Sequence, residues 1–336
     1  MKYATLSFLA VLLLIVAIAS LFLGQYRLPA TDLLGFAGWK FFSLAGLSDE
    51  KKVLLENIIV QIRLPRILAA MIIGASLSVA GASYQALFIN PLVSPGLLGV
   101  LAGASFGAAF GMLFAKSWAM IQLSTVVFAF VAVGVTISIA KIYRMTSIIM
   151  LVLGGVISGA LFTSLLSIVK YAADPNNQLP AIVYWLMGSL SSVSLKTVVL
   201  TAIPAIFGIV ALILHGRQLN AMSMGDEEAM SLGINVRRVR YVVIFFATLI
   251  SALTVMMGGM IGWVGLIIPH ICRMIVGPNN QILLPAAALM GAAYLVIADN
   301  LSRLLFLFEI PIGIITSLIG IPFFILVLKN AHRGWR

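Results

Sequence analysis

An all-α integral membrane protein with about ten transmembrane helices is the fold class this sequence predicts, and three observations carry it. Of 336 residues, 62% are hydrophobic and 9% charged. A soluble domain carries roughly 25% charged residues, so this chain has too little charge for a polar exterior. The apolar residues come in long runs, close to the ~20 residues a helix needs to cross a hydrocarbon core. These runs are continuous rather than alternating, which argues against a barrel. Helices also satisfy their backbone hydrogen bonds internally, as lipid demands.

The expected spans are 4–24, 66–87, 95–114, 118–140, 146–169, 196–214, 239–261, 263–276, 281–299 and 309–328, in a single transmembrane domain over 1–336. The first follows Met1-Lys2-Tyr3 and superficially resembles a secretory signal. It has no clear small-residue cleavage site followed by a polar domain, so it reads as a retained span. Residues 25–65 form a mixed polar and amphipathic connection ending in Arg63-Leu64-Pro65-Arg66, with Pro65 near the start of the second span. That span carries Gly74, Ser78 and Gly81 and ends near Gln85 and Asn90, whose amides need partners at membrane depth. The run from Asn90 to Gly96 is a rigid break that restarts a helix after Pro95. Gly99, Gly103, Gly107 and Gly111 recur every four residues in the third span, one face on which a neighbouring backbone packs closely. The fifth span adds Gly154, Gly155 and Gly159.

Residues 170–195 form a second connection on the same side as 25–65. On the opposite side, 215–238 is the longest connection. Within it, 224–233 reads as a short helix with Asp226 and Glu227 in its first turn and Gly233 as its stop. Arg237, Arg238 and Arg240 then lead into the seventh span, which the Gly258–Pro269 region separates from the eighth. Asp299 to Arg303 follow the ninth span and Glu309 opens the tenth. Together with Arg63 and Arg66 they form a charged outer end, read either as snorkelling anchors or as a surface for an acidic partner. An even number of spans puts both termini on one side, and the basic short loops place that side in the cytoplasm.

The net charge of +11 does not point to nucleic acid, because the basic residues occupy short breaks facing lipid headgroups and form no long tract. Cys272 is the only cysteine, which excludes an intrachain disulfide, and three dispersed histidines argue against a metal site. There is no Gly-x-x-x-x-Gly-Lys-Ser/Thr and no His-Glu-x-x-His, so neither ATP hydrolysis nor another catalytic activity is expected of this chain.

Several segments together resemble the FecCD/BtuC-like permeases of binding-protein-dependent ABC importers. They are Arg63–Arg66, Gly74–Gly81, Gln85–Gly99, Trp185–Ser189, Ser231–Val236, Gly262–His270, Ala298-Asp299 with Arg303, and Glu309–Phe323. The resemblance covers more than three quarters of the chain and implies a type II ABC importer permease fold in the cytoplasmic (inner) membrane. It implies a homodimer with the path on its two-fold axis, two ATPase subunits inside and a periplasmic or lipid-anchored binding protein outside. It assigns no cofactor to this subunit; ATP and Mg belong to the partner ATPase. Arg63, Arg66 and Arg303 match arginines that meet acidic residues on the binding protein. Residues 219–235, including Asp226, Glu227, Glu228, Leu232 and Gly233, resemble the ATPase coupling element. Thr146 and Ser147 resemble a polar pair narrowing the path near the cytoplasm, while His270 is expected to be structural. The implied cargo is an iron chelate (siderophore or haem) or a related metal complex such as cobalamin. The alternatives are molybdate or tungstate import by the same architecture, and an ion-gradient-driven secondary transporter. The last would call for acidic residues at mid-membrane, whereas Asp299 and Glu309 lie near an end.

Overall fold

The computed structural model describes residues 2–26, 28–42, 47–115, 117–142 and 148–331. The helices are α1 (Lys2–Phe22), α2 (Ala30–Phe42), α3 (Asp49–Glu56), α4 (Leu64–Leu87), α5 (Val100–Phe114), α6 (Trp118–Ile142), α7 (Ile148–Ala172), α8 (Gln178–Leu186), α9 (Leu195–Leu214), α10 (Gly216–Met222), α11 (Asp226–Ser231), α12 (Val236–Gly258), α13 (Val264–Val276), α14 (Asn280–Leu304) and α15 (Ile312–Ala331). Among the described residues, seven helical stretches are long and apolar enough to cross a membrane: Ala4–Phe22, Asp49–Leu87, α6, α7, α9, α12 and α14. Shorter apolar helices lie at α5, α13 and Ile312–Leu326, which accounts for the ten expected spans.

Side-chain caps start α9, α12 and α14. The Ser194 hydroxyl accepts from the Thr197 N–H, the Asn235 amide oxygen from the Arg238 N–H and the Asn279 amide oxygen from the Gln281 N–H, supplying donors at helix N-termini with acceptors. Other boundaries correct the sequence expectation. Pro65 lies in the first turn of α4 as expected, but helical structure does not begin there: α3 runs through a π-helical stretch, Asn57–Arg63, into α4 as one 39-residue helix. The wider π turn relaxes the α-helical ladder just where proline cannot donate to it. The third span begins at Val100, because Pro95–Leu98 forms a short 3₁₀ turn closed by Gly99 at φ +79°. The tenth begins at Ile312, after a bend through 305–308. The expected 25–65 connection contains α2, which packs with α3 around Leu28, Phe36, Leu55 and Ile59.

The core is centred on α4, which is buried around most of its circumference and packs against α9, α12, α13 and α14. Glycines make this possible. A Cβ on Gly74 would collide with the Gly291 carbonyl of α14, and one on Gly81 with the Gly265 carbonyl of α13. A second group joins α5, α6 and α7, where Gly103 and Gly107 lie against the Phe128 and Ser124 carbonyls and Gly111 against Ile121 and Ser124. Gly99 sits apart, in the turn, against Ser158 and Gly159 of α7. Phe106, Phe128 and Phe162 close this group, with ring centroids 4.8 Å and 5.7 Å from Phe106. Outward faces such as that of α9, with Leu200, Ile203 and Phe207 exposed, suit a hydrocarbon solvent.

Candidate functional site

Chemistry gathers at the two ends of the bundle and at one seam of irregular backbone. At one end, α4 and α14 bring Arg66 against Asp299. The Arg66 Nε donates to Asp299 Oδ1 at 2.8 Å, while its Nη1 donates to Glu309 Oε1 at 2.8 Å. Arg303 reaches Asp299 Oδ2 at 3.2 Å through Nε and donates through Nη2 to Asn300 Oδ1 and to Ser20 Oγ. Ser20 in turn donates to Asn300 at 2.8 Å, which ties α1 into the cluster. Arg63 donates to the carbonyls of Leu21 and Tyr26, absorbing acceptors left at the end of α1.

Arg66 and Arg303 therefore meet on Asp299 while Arg63 binds the end of α1, and the three form no open basic surface. Arg63, Arg66 and Arg303 are only 3%, 5% and 7% exposed, and each is held by partners within the chain. Burial forces this arrangement, since an unpaired guanidinium in a low-dielectric setting is expensive. The partners lie 233 and 243 residues away from Arg66, beyond the reach of local pattern. Glu309, with its side chain 33% exposed, is the member nearest to solvent.

At the opposite end, α10 and α11 form the expected short helical connection. Asp226, Glu227 and Glu228 occupy the first turn of α11, and Gly233, at φ +78°, terminates it. The Ile234 N–H donates back to the Ala229 carbonyl, as in a C-terminal helix cap. Both Asp226 oxygens accept from Arg240 Nη2 at 2.7 Å, which pins α11 to α12. Met224, Met230 and Leu232 project from this polar segment as exposed apolar side chains. Asn220 fixes α10 to the start of α14, donating to Asn279 Oδ1 at 2.8 Å and accepting from the Asn280 N–H at 2.7 Å. Nearby, Gln85 finds the partners its depth requires. Its Nε2 donates to the carbonyls of Val93 and Gly265 at 3.2 Å, and its Oε1 accepts from Arg273. Asn90 accepts from the Leu92 N–H at 2.9 Å. Thr146 and Ser147 lie outside the described residues.

The seam was not legible as a site. The Ser189 N–H donates to the Gly258 carbonyl and the Ile312 N–H to the Gly188 carbonyl, both at 3.0 Å. This joins the segment after α8, the break between α12 and α13, and the start of α15. Gly188, Gly259 and even Trp263 take positive φ, at +82°, +71° and +69°. A Cβ on Gly259 would strike the Trp185 carbonyl, and one on Gly313 the Met187 carbonyl. The signals available were the glycines at 188, 258 and 259 and Pro311, each beside an apolar run. His270 lies edge-on to Phe323, 6.4 Å between ring centroids, and no group of metal-ligating side chains occurs among the described residues.

The profile of the FecCD transport family matches residues 12–330. The chain belongs to the FecCD transport family. Among relatives of this FecCD protein is the molybdate import system permease protein MolB of Haemophilus influenzae, 37% identical over 97% of this chain and 95% of that one. The hemin transport system permease protein HmuU of Yersinia pestis is 34% identical over 98% and 96%. A solved structure described as an inward-facing conformation of a metal-chelate type ABC transporter superposes with a TM-score of 0.85, at 37% identity over 96% of this chain and 98% of the other. The FecCD chain is thus the multi-pass inner-membrane permease of an ABC importer, a transport subunit that works with an ATPase and a binding protein. The ion-gradient reading falls with that membership.

Proposed function

We propose that two copies of this permease line a path through which an iron chelate (siderophore or haem), or a related metal complex such as cobalamin, enters the cytoplasm. The observation that carries the reading is the placement of two dissimilar sites at opposite ends of one ten-span bundle. At one end Arg66 and Arg303 are paired with Asp299 and Glu309, with Arg63 bound to the end of α1; this end faces the binding protein, and Arg63, Arg66 and Arg303 hold the docking surface in shape from beneath. The 219–235 segment presents Met224, Met230 and Leu232 around an acidic helix start, a shape suited to a groove in an ATPase inside. Asp226, Glu227, Glu228, Leu232 and Gly233 then form the coupling contact. ATP and Mg act in the two ATPase subunits. Their closure pushes on α11, and the Asp226–Arg240 pair passes that push to α12. Glycine contacts and the strained α12–α13 break give the bundle close-packed surfaces on which helices can tilt. Whole-length similarity to a hemin permease and to a metal-chelate type transporter supports the cargo class.

Molybdate or tungstate is the second reading, favoured by the equally complete match to a molybdate permease. Uptake into proteoliposomes holding permease, ATPase and binding protein, comparing ferric siderophore, haem, cobalamin and molybdate, tests both. Accumulation of a chelate that requires hydrolysable ATP is expected. Preferential molybdate uptake overturns the cargo, and uptake without the ATPase overturns the mechanism.

A further inference from the structure

Between α6, α7, α11 and α12, at the end of the bundle that carries the coupling segment, lies a cavity of about 290 Å³ whose wall changes character with depth. Its mouth is basic. Lys141 is on the last turn of α6 and Arg237 on the first turn of α12, and both cations stand over the ring of Tyr241, at 5.8 Å and 5.9 Å. One to two turns deeper the same helix faces present Ile137 and Ile244, with Leu151 from α7 opposite. The spacing explains the layering. Ile137, Ala140 and Lys141 share a face of α6, while Arg237, Tyr241 and Ile244 share a face of α12. Among the described lining residues the only acid is Asp226, and both its oxygens are already taken by Arg240 at 2.7 Å. The mouth therefore keeps a positive surplus directly beneath α11.

We propose that this cavity binds an anionic glycerophospholipid, with the headgroup phosphate held by Lys141 and Arg237 and an acyl chain laid along Ile137, Leu151 and Ile244. A basic pocket between transmembrane helices is the chemistry that selects acidic headgroups. The apolar wall distinguishes it from a site for a soluble anion, which has no use for buried hydrocarbon. Because Asp226 and Met230 of α11 line the same cavity, the lipid touches the coupling segment and α12 together. Acidic lipid in the surrounding leaflet thereby braces the joint through which the motor acts. This inference rests on the orientation proposed above and is independent of the cargo.

Native mass spectrometry of the assembled importer in detergent tests it, with dioleoyl phosphatidylglycerol, dioleoyl phosphatidylcholine and inorganic phosphate as probes. The expected result is one phosphatidylglycerol retained per permease chain with roughly tenfold preference over phosphatidylcholine. That preference falls to near parity in Lys141→Gln/Arg237→Gln and is kept in the charge-conserving Lys141→Arg. Equal retention of the two lipids by the unmodified importer overturns the proposal, as does an undiminished preference in the double variant. Full displacement by inorganic phosphate at equal concentration also overturns it, showing a soluble-anion site instead. Should the double variant not assemble, Lys141→Gln alone, at an exposed helix end, reads the same ratio.

Discussion

Removing the Asp299 carboxylate would strand two guanidiniums, those of Arg66 and Arg303, in a setting where neither can be rehydrated cheaply. Asp299→Ala is expected to cost about 3–5 kcal/mol, the range for breaking a buried ion pair from one side. Glu309→Gln removes a partner that is a third exposed, and screening by solvent should hold its cost to roughly 1 kcal/mol or less. Thermal unfolding of the purified permease checks both, and equal melting shifts would show that the cluster is not a buried network. The glycines offer a parallel contrast. Gly81→Ala forces a methyl into the Gly265 carbonyl and should destabilise by about 1–3 kcal/mol. Gly134 on α6 has nothing within 4 Å of an added Cβ, so Gly134→Ala should stabilise its helix by about 0.5–1 kcal/mol. Both are glycines on apolar helices in the sequence. Only the neighbour across the gap tells them apart.

At the scale of the element, α11 and the α12–α13 break behave oppositely. The α11 segment was legible because its signals are local: acidic residues in the first turn and Gly233 as its stop. Met230→Glu/Leu232→Glu alters side chains that are 57% and 64% exposed, so folding stability should stay within about 0.5 kcal/mol. Copurification of the ATPase should fall several-fold, and a wild-type yield would remove these residues from the coupling contact. The break was legible only as a boundary. Its role as a junction with α8 and α15 depends on carbonyls of Trp185 and Met187 brought in from a distant segment. Gly259→Ala adds both a positive-φ cost and a collision with Trp185, about 1–3 kcal/mol, read as a lowered melting temperature with reduced ATP-driven uptake.

For the whole molecule, orientation follows from assigning the coupling end to the cytoplasm, and the single cysteine makes that assignment measurable. Cys272 is fully buried, so the native permease should give almost no maleimide labelling. A cysteine replacing Met224, 66% exposed, should label from the cytoplasmic side alone. One replacing Leu307, 98% exposed, should label from the outer side alone. The reverse pattern would invert the topology. The ten spans, the helical class and the identity of the breaks were determined by sequence alone, because lipid enforces a length and an apolarity that a one-dimensional string displays directly. The burial of the arginine cluster, the 39-residue helix running through Pro65 and the three-way seam were decided by the tertiary structure. Polar contacts and close backbone approach join residues up to 283 positions apart. Such contacts are settled by which helices lie side by side, and no local spacing records that.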